Sequence, residues 1–459
     1  MWWGSERATL GAMAQGNLGA LFAPPTAVEM AAVRSDWVGR QATVISWTVH
    51  TSATILGHPV WIVSQRIDGE RHYGAIRFPA AFQPDRSYPV LMYNHKGNYL
   101  FLEAELSVLD SVLTGDCPAQ EFIYVMPSFR GEYILSSYLG TFTSQGEQSR
   151  LNYDVDDAMA LLTDVLAHIP QADGARVATL GVSRGAGVAL LQGARDGRVR
   201  RLVDYFGPAD MFLPSLQADV EYWVAHGGPP PDAVNDAVLP QVMEIVLPYV
   251  DGSTPLAEAR QALLLSSPAY FGQAMPALQI HHGTADEAVP MGHSNSLNSK
   301  LDALGGAAPA HAYFTYAGGD HNIATLDGSG ERITSFLCDL VPSELEAALS
   351  SQPAPVVAGE ALTYQVRVTN TNQVSLTATI TQVMPASVTP ANAVVWQTVI
   401  AAGQTWSGAA TVQTSPDYVG TLTSEVMVIT REGVAATASH STEVVVRWVV
   451  FLPVVVDNE

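Results

Sequence analysis

The segment Ala178-Thr179-Leu180-Gly181-Val182-Ser183-Arg184-Gly185-Ala186-Gly187 runs an apolar strand into a Gly-x-Ser-x-Gly turn and then into a helical pattern. So tight a turn needs residues without bulk two before and two after the serine, and it lifts the Ser183 hydroxyl clear of a sheet. The helix behind it points its N-terminus at developing negative charge. A serine hydroxyl is a poor nucleophile at neutral pH, so it needs a general base, and the base needs an orienting carboxylate. Two later strand ends supply them. Leu278-Gln279-Ile280-His281-His282-Gly283-Thr284-Ala285-Asp286 places Asp286 after an apolar strand, and Tyr313-Phe314-Thr315-Tyr316-Ala317-Gly318-Gly319-Asp320-His321 places His321 after the next. The chemistry of such a set is acyl transfer: His321 takes the Ser183 proton and returns it to the leaving group, while Asp286 stabilises the imidazolium. Asp320 is the rival acid, but neighbouring loop residues seldom face one partner. His281 and His282 are rival bases that precede the acid loop and read as structural.

An oxyanion needs two donors. One is the backbone N–H of Arg184, the residue after the nucleophile; the other comes from the loop Met92-Tyr93-Asn94-His95-Lys96-Gly97-Asn98-Tyr99, where Gly97 or its neighbour Lys96 is favoured and Asn98 remains open. The stretch Asp210 to Ser267 fits no strand-helix repeat and contains Gly227-Gly228-Pro229-Pro230-Pro231, Pro240 and Pro248. It reads as a helical cap inserted between two sheet strands. Within it Met211, Phe212, Tyr222 and Trp223 are candidate substrate-pocket liners, although aromatic and Met residues at helical spacing are more often core.

The elements that must position these residues follow from hydrophobic period. Trp61 to Phe78 reads as two antiparallel strands around Asp68-Gly69. Apolar runs at Pro89 to Tyr93, Phe122 to Met126, Val177 to Gly181, Leu202 to Tyr205, Leu278 to His282 and Ala312 to Tyr316 then alternate with helical segments at Leu102 to Leu113, Val155 to His168, the stretch after Ser183, Ser294 to Leu304 and Arg332 to Leu340. Strands of this kind are buried on both faces of a mostly parallel sheet, which predicts an α/β fold. A catalytic domain is expected over 1–350 with its cap at about 210–267, ending in a helix at Ser343 to Ser350. A linker follows at 351–356, around Gln352-Pro353-Ala354-Pro355. From 357 to 459, alternating Thr- and Val-rich stretches (Leu362 to Thr369, Leu376 to Val383, Val394 to Ile400, Thr405 to Thr414, Thr421 to Thr430, Ala435 to Val446) predict a small all-β sandwich. It resembles the immunoglobulin-like modules appended to bacterial surface and secreted proteins. Its Trp396 and Trp406, read as exposed, are candidates for contact with an extracellular polymer or cell surface.

Composition excludes several classes. Only 14% of the 459 residues are charged, against ~25% on average, while 47% are apolar, which excludes disorder. With 22 basic residues against 44 acidic, and only Lys96 and Lys300 as lysines, nucleic acid is a poor partner. No stretch reaches ~18 apolar residues; the longest, Val444 to Val456, is broken by Arg447 and Pro453 and reads as the last sandwich strand. The N-terminal segment lacks the net positive charge of a signal peptide, yet the C-terminal module points to an extracellular or cell-surface placement. Cys117 and Cys338 permit at most one disulfide and read as buried thiols. Asp154, Asp156 and Asp157 open a helix, where acidic residues suit the dipole, and do not call for calcium. No metal or cofactor is expected.

Taken together, the Gly-x-Ser-x-Gly turn, His282-Gly283-Thr284-Ala285-Asp286-Glu287-Ala288-Val289-Pro290, Gly318-Gly319-Asp320-His321, and Phe129-Arg130-Gly131 followed by Tyr153-Asp154-Val155-Asp156-Asp157 resemble the catalytic domain of the prolyl oligopeptidase family, within the α/β-hydrolase superfamily. The resemblance covers roughly Trp61 to Leu340. It implies Ser183, Asp286 and His321 as the triad, and Asp156 or Asp157 as the acidic helix start near the elbow. Two departures stand out: His95-Lys96-Gly97 replaces the usual His-Gly-Gly, and only about 60 residues precede the first hairpin, where family peptidases carry a β-propeller. Without a propeller to hold a peptide, the expected activity is that of a serine hydrolase cleaving carboxylic esters, and next small amides or peptides. A prolyl oligopeptidase-like peptidase is the alternative, and a surface adhesion or display protein with an inactive hydrolase domain comes last.

Overall fold

The computed structural model describes residues 17–40, 44–113, 117, 121–149 and 151–447. The described residues form two compact units, those up to 83 together with 88–338, and 84–87 together with those from 339 onward.

Nine strands make the main sheet of the first unit: β1 (Val44–Ile55), β2 (His58–Ile67), β3 (Glu70–Arg77), β4 (Tyr88–Asn94), β5 (Ile123–Pro127), β6 (Ala172–Val182), β7 (Val199–Tyr205), β8 (Ala277–Gly283) and β9 (His311–Tyr316). Their spatial order is β1-β2-β3-β5-β4-β6-β7-β8-β9. β1 to β3 are antiparallel, with Asp68 and Gly69 at φ 52° and 88° turning the expected hairpin. β3 joins β5 antiparallel, and every pairing from β5 to β9 is parallel. β4 and β5 are buried along their whole length, which is why these segments read as unbroken apolar runs.

Helices cover the sheet. Asp154–His168 places Val155, Leu161, Leu162 and Val165 in one core with Val90, Met92, Ile123 and Val125 of the sheet, and the elbow helix Arg184–Arg195 adds Val188 and Leu191. Leu190 of the same helix joins Leu202, Leu278, Ile280, Leu297 and Leu301 in a second cluster. The region 210–267 is helical as expected, with Pro214–His226, Leu239–Val250 and Leu256–Leu265; Gly227 closes the first in the left-handed region at φ 80°. A helix at Ala27–Gly39 was not foreseen, although its capping box was legible: Thr26 Oγ accepts from the Glu29 N–H, and the Glu29 carboxylate accepts from the Thr26 N–H.

The second unit packs two sheets face to face. One has the strands Glu346–Gln352, Ala361–Thr369, Thr405–Thr414 and Val388–Thr389 in that order; the other has Val356–Val357, Ala435–Val445, Gly420–Thr430, Leu376–Val383 and Val394–Ile400. Leu362, Tyr364 and Val366 from the first meet Ile380, Val426 and Val428 from the second. Three expectations need correcting. Ser343 to Ser350 is not a helix: Glu346–Gln352 pairs antiparallel with Ala361–Thr369 and turns Leu349 and Ser351 inward, so sheet pairing overrides the helical propensity of Glu-Ala-Ala-Leu. The stretch at 351–356 therefore lies inside the sandwich, and the boundary falls between Cys338 and Asp339. Trp396 and Trp406 are half-buried, edge to face at 5.5 Å against the sandwich core. Of the predicted terminal strand 444–456, residues 448–456 lie outside the described residues.

Cys117 and Cys338 are not thiols but a disulfide, with Cα atoms 6.1 Å apart across 221 residues of sequence. Sequence spacing could not show this, because the pairing depends on helices 102–112 and 329–338 meeting; a Cβ on Gly330 would lie 2.5 Å from the Val112 carbonyl oxygen. Titration of the unfolded, unreduced protein is expected to find no free thiol, and Cys117→Ser is expected to lower stability by about 2–4 kcal/mol in urea denaturation. One free thiol equivalent or more would refute the pairing.

Candidate active site

Parallel register brings the functional loops to one edge. Val182 pairs with Tyr205, Tyr205 with His281, and Gly283 with Tyr316, so the chain leaves β6, β7, β8 and β9 at one level. Ser183 sits there at φ 57°, ψ −127°, a strained position for a residue with a side chain. Two glycines make the turn possible. A Cβ on Gly181 would lie 2.1 Å from the Gly185 carbonyl oxygen, and one on Gly185 would lie 2.1 Å from that of Asn94. The Ser183 N–H donates to the Tyr205 carbonyl at 2.9 Å, which pins the serine over the neighbouring strand. The N–H groups of Arg184 and Gly185 open the helix and have no acceptor within it.

Asp286 and His321 approach on loops that are joined to each other. The Thr284 N–H donates to the Tyr316 carbonyl (2.9 Å), the Ala285 N–H to Gly319 (2.8 Å), and the Gly318 N–H to Thr284 Oγ1 (2.9 Å). Gly283 and Gly319 touch so closely that a Cβ on the former would meet the Gly319 oxygen at 2.2 Å. The His-Gly-Thr and Gly-Gly-Asp-His stretches are therefore halves of one contact. His321 Nδ1 lies 2.8 Å from Asp286 Oδ2, and its Nε2 lies 2.8 Å from Ser183 Oγ. With Nδ1–H donating to the carboxylate, Nε2 accepts from the serine hydroxyl. Asp286 Oδ1 accepts from the N–H groups of Ala288 and Val289, both at 2.9 Å, and its side chain is fully buried. The Phe206 ring lies 4.4 Å from the imidazole.

The rival residues have other partners. Asp320 accepts from Thr325 Oγ1 at 2.9 Å. His281 hydrogen-bonds Tyr316 Oη (2.7 Å), and burial holds its pKa down to about 3. His282 is fixed between Ser294 Oγ (2.7 Å) and the Val289 carbonyl (2.9 Å), with its pKa also lowered by burial.

Arg184, marked in the sequence only by its backbone N–H, also contributes its side chain to the site. The buried guanidinium donates through Nη1 to the Gly97 carbonyl (2.7 Å) and Glu132 Oε1 (2.5 Å), and through Nη2 to Asp154 Oδ2 (2.6 Å). It thereby ties the elbow to the loop holding Lys96 and Gly97, where Gly97 stands at φ 67°. The three aspartates that open helix 154–168 each hold a different arginine: Asp154 takes Arg184, Asp157 takes Arg130 at 2.6 Å and Asp156 takes Arg195. Burial raises the pKa of Glu132 to about 7 against the opposing pull of Arg184, and burial likewise raises that of Asp154.

A cleft of about 580 Å³ opens beside His321, lined also by Lys96, Val182, Phe206 and Asn322. The four candidate cap residues lie away from this cleft. Met211 and Phe212 are buried in the core: the Met211 N–H donates to Ser267 Oγ (3.0 Å), and the Phe212 ring packs edge-on against Tyr270. Trp223 packs on the same core, and Tyr222 stacks on His226. None of the four lines this cleft; Met211 instead borders a separate cavity of about 310 Å³ with Val242, Ile245 and Leu265.

The sheet order, the helices packed on it and the serine on a tight turn after an interior parallel strand define the first unit as an α/β-hydrolase fold. No protein-family model and no curated protein matches the chain. Among solved structures the chain is similar to acetyl xylan esterase 1 from Thermoanaerobacterium sp. JW/SL YS485, with 14% identity and a TM-score of 0.47 over 68% of this chain and 92% of that one. It is similar to an acetyl xylan esterase from Paenibacillus sp. R4, with 14% identity and a TM-score of 0.47 over 70% and 98%. It also resembles a Mycobacterium tuberculosis puromycin-hydrolyzing peptidase, with 17% identity and a TM-score of 0.42 over 63% of this chain and 46% of that one. Values this low say nothing about substrate.

Glu132 offers a test of the buried network. Its folded pKa lies above the ordinary glutamate value of 4.5, so the native state binds more protons than the unfolded chain between pH 4.5 and 7, and its contribution to stability falls as pH rises through that window. Glu132→Gln is expected to become progressively more stable relative to wild type from pH 5 to 7.5 in paired urea titrations; a pH-independent difference would contradict the raised pKa.

Proposed function

We propose that the chain is a serine hydrolase that cleaves carboxylic esters through an acyl-Ser183 intermediate. The unbroken line from Ser183 Oγ through His321 to Asp286, each step 2.8 Å, carries this reading. Ser183 Oγ adds to the ester carbonyl carbon as His321 Nε2 takes its proton. The tetrahedral oxyanion faces the Arg184 N–H at the helix start, and the second donor is assigned to the Lys96–Gly97 loop. Collapse breaks the bond to the alkoxide, which leaves with the proton from His321. Water then repeats the sequence on the acyl-enzyme and releases the acid. Buried Asp286 holds the imidazole in one tautomer and offsets its positive charge.

Esters are favoured over amides because an alkoxide leaves with less help from a proton donor than an amine does. Small amides and peptides are the second substrate class. The sandwich is assigned the part of an immunoglobulin-like accessory module of an extracellular protein.

Ser183→Ala is expected to abolish labelling by a fluorophosphonate probe and to lower kcat on p-nitrophenyl esters at least ~10³-fold, and Asp286→Asn to lower it by ~10³–10⁴-fold with little change in KM. Wild type should show a burst with these esters and turn over p-nitroanilides far more slowly. An enzyme that neither reacts with the probe nor turns over either panel would overturn the proposal; a preference for the anilides would make it a peptidase.

A further inference from the structure

Away from Ser183, where the C-terminal end of helix 184–195 meets helices 27–39 and 154–168, lies a cleft of about 540 Å³. Its walls include Trp37, Met159 and Phe271, and four of the chain's few cations line it: Arg34, Arg40, Arg195 and Arg198. So many guanidiniums in one apolar cleft are unexpected in a chain with 22 basic residues against 44 acidic ones.

Two of the four are matched. Arg40 pairs with Asp36 and Asp156 and donates to Asn152 Oδ1 at 2.6 Å. Arg198 grips Asp196 through Nε (2.8 Å) and Nη2 (2.6 Å) and reaches Thr163 Oγ1 at 3.0 Å. Arg195 is matched only in part. Its side chain is 4% exposed, Nη2 donates to Asp156, and Nε and Nη1 have no hydrogen-bond partner among the described residues. The guanidinium lies 5.3 Å from the Trp37 ring, which supplies no acceptor in the plane of its remaining N–H groups. Arg34, at the exposed rim, has its guanidinium 5.5 Å from the Phe271 ring and no carboxylate partner among the described residues. A buried charged donor left without an acceptor is destabilising and calls for an explanation, of which a ligand that completes its hydrogen bonds is one.

The charges define the ligand. Four guanidiniums face three carboxylates, those of Asp36, Asp156 and Asp196, which leaves one positive charge. A monoanion balances it and a dianion exceeds it. A planar carboxylate matches the guanidinium fork, and an apolar body suits the aromatic and Met walls. We propose that this cleft is a binding site for an amphipathic monocarboxylate, with its head group between Arg34 and Arg195 and its tail against Trp37, Met159 and Phe271. The inference does not depend on the esterase reading: neither Ser183 nor His321 lines the cleft. If that reading also holds, the ligand belongs to the same chemical class as the acid product.

The test is isothermal titration of the full-length protein with octanoate, 1-octanol and octyl phosphate. The titration is repeated after Ser183 has been blocked with a fluorophosphonate, and on Arg34→Gln and Arg195→Lys. One saturable octanoate site that survives the block, weakens about tenfold or more in Arg34→Gln and prefers octanoate to the alcohol and the phosphate ester is expected. Arg195→Lys keeps the charge beside Asp156 while removing the fork, so it should weaken octanoate too, with the fold monitored by circular dichroism. Absence of saturable binding, loss of binding on blocking Ser183, equal affinity for 1-octanol, tighter binding of octyl phosphate, or unchanged affinity in the Arg34 variant would each overturn the proposal.

Discussion

Gly185 stands so close to the end of β4 that a methyl group on it would lie 2.1 Å from the Asn94 carbonyl oxygen, and the arrangement around Ser183 depends on that approach. It lets the elbow helix begin directly over the sheet. That forces the chain through a positive φ at Ser183 and turns the first free N–H groups of the helix toward the same space. The strain at one residue is over-determined by its neighbours: Gly181 yields room to the Gly185 carbonyl, the Ser183 N–H is held by Tyr205, and Asn94 Nδ2 reaches Thr179 Oγ1 at 3.0 Å beneath the turn.

Around that contact the protein uses its scarce charges internally. Arg184, Arg130 and Arg195 are all engaged by the first turn of one helix, so Asp154, Asp156 and Asp157 act less as a dipole match than as three separate anchors. Of these, Arg184 does most for the site, since one guanidinium holds the Gly97 carbonyl and two carboxylates at once. Buried pairs of this kind are weak sources of net stability but strongly directional, and orientation is what the loop opposite the serine requires. Arg195 shows the converse, a buried guanidinium with two of its donors left unmatched beside an apolar cleft.

The cap and the sandwich show where local pattern misleads. Met211, Phe212, Tyr222 and Trp223 have the residue types of a binding pocket, yet Met211, Phe212 and Trp223 pack into the apolar core and Tyr222 stacks on His226. The segment Glu346–Gln352 has helical composition and becomes a strand because an unpaired edge at Ala361–Thr369 offers it seven residues of backbone hydrogen bonding. In the second case a long-range partner outweighed a local preference of a few tenths of a kcal/mol per residue.

Much of the molecule was legible in the residues alone. Short-range constraints leave short-range signatures: glycines where a turn admits no Cβ, unbroken apolar runs where both faces of a strand are covered, alternation where one face is. These yielded the parallel sheet, the elbow and the sandwich strands, and the order of Ser183, Asp286 and His321 along the chain marked which residues could meet. Tertiary structure decided what depends on distance in space. It set the 2.8 Å contacts of His321, turned Asp320 toward Thr325 and His282 toward Ser294, joined Cys117 to Cys338, and buried the Arg184 side chain against Glu132. A side chain's partner across 50 or 200 residues is chosen by packing and register, and no local pattern encodes it.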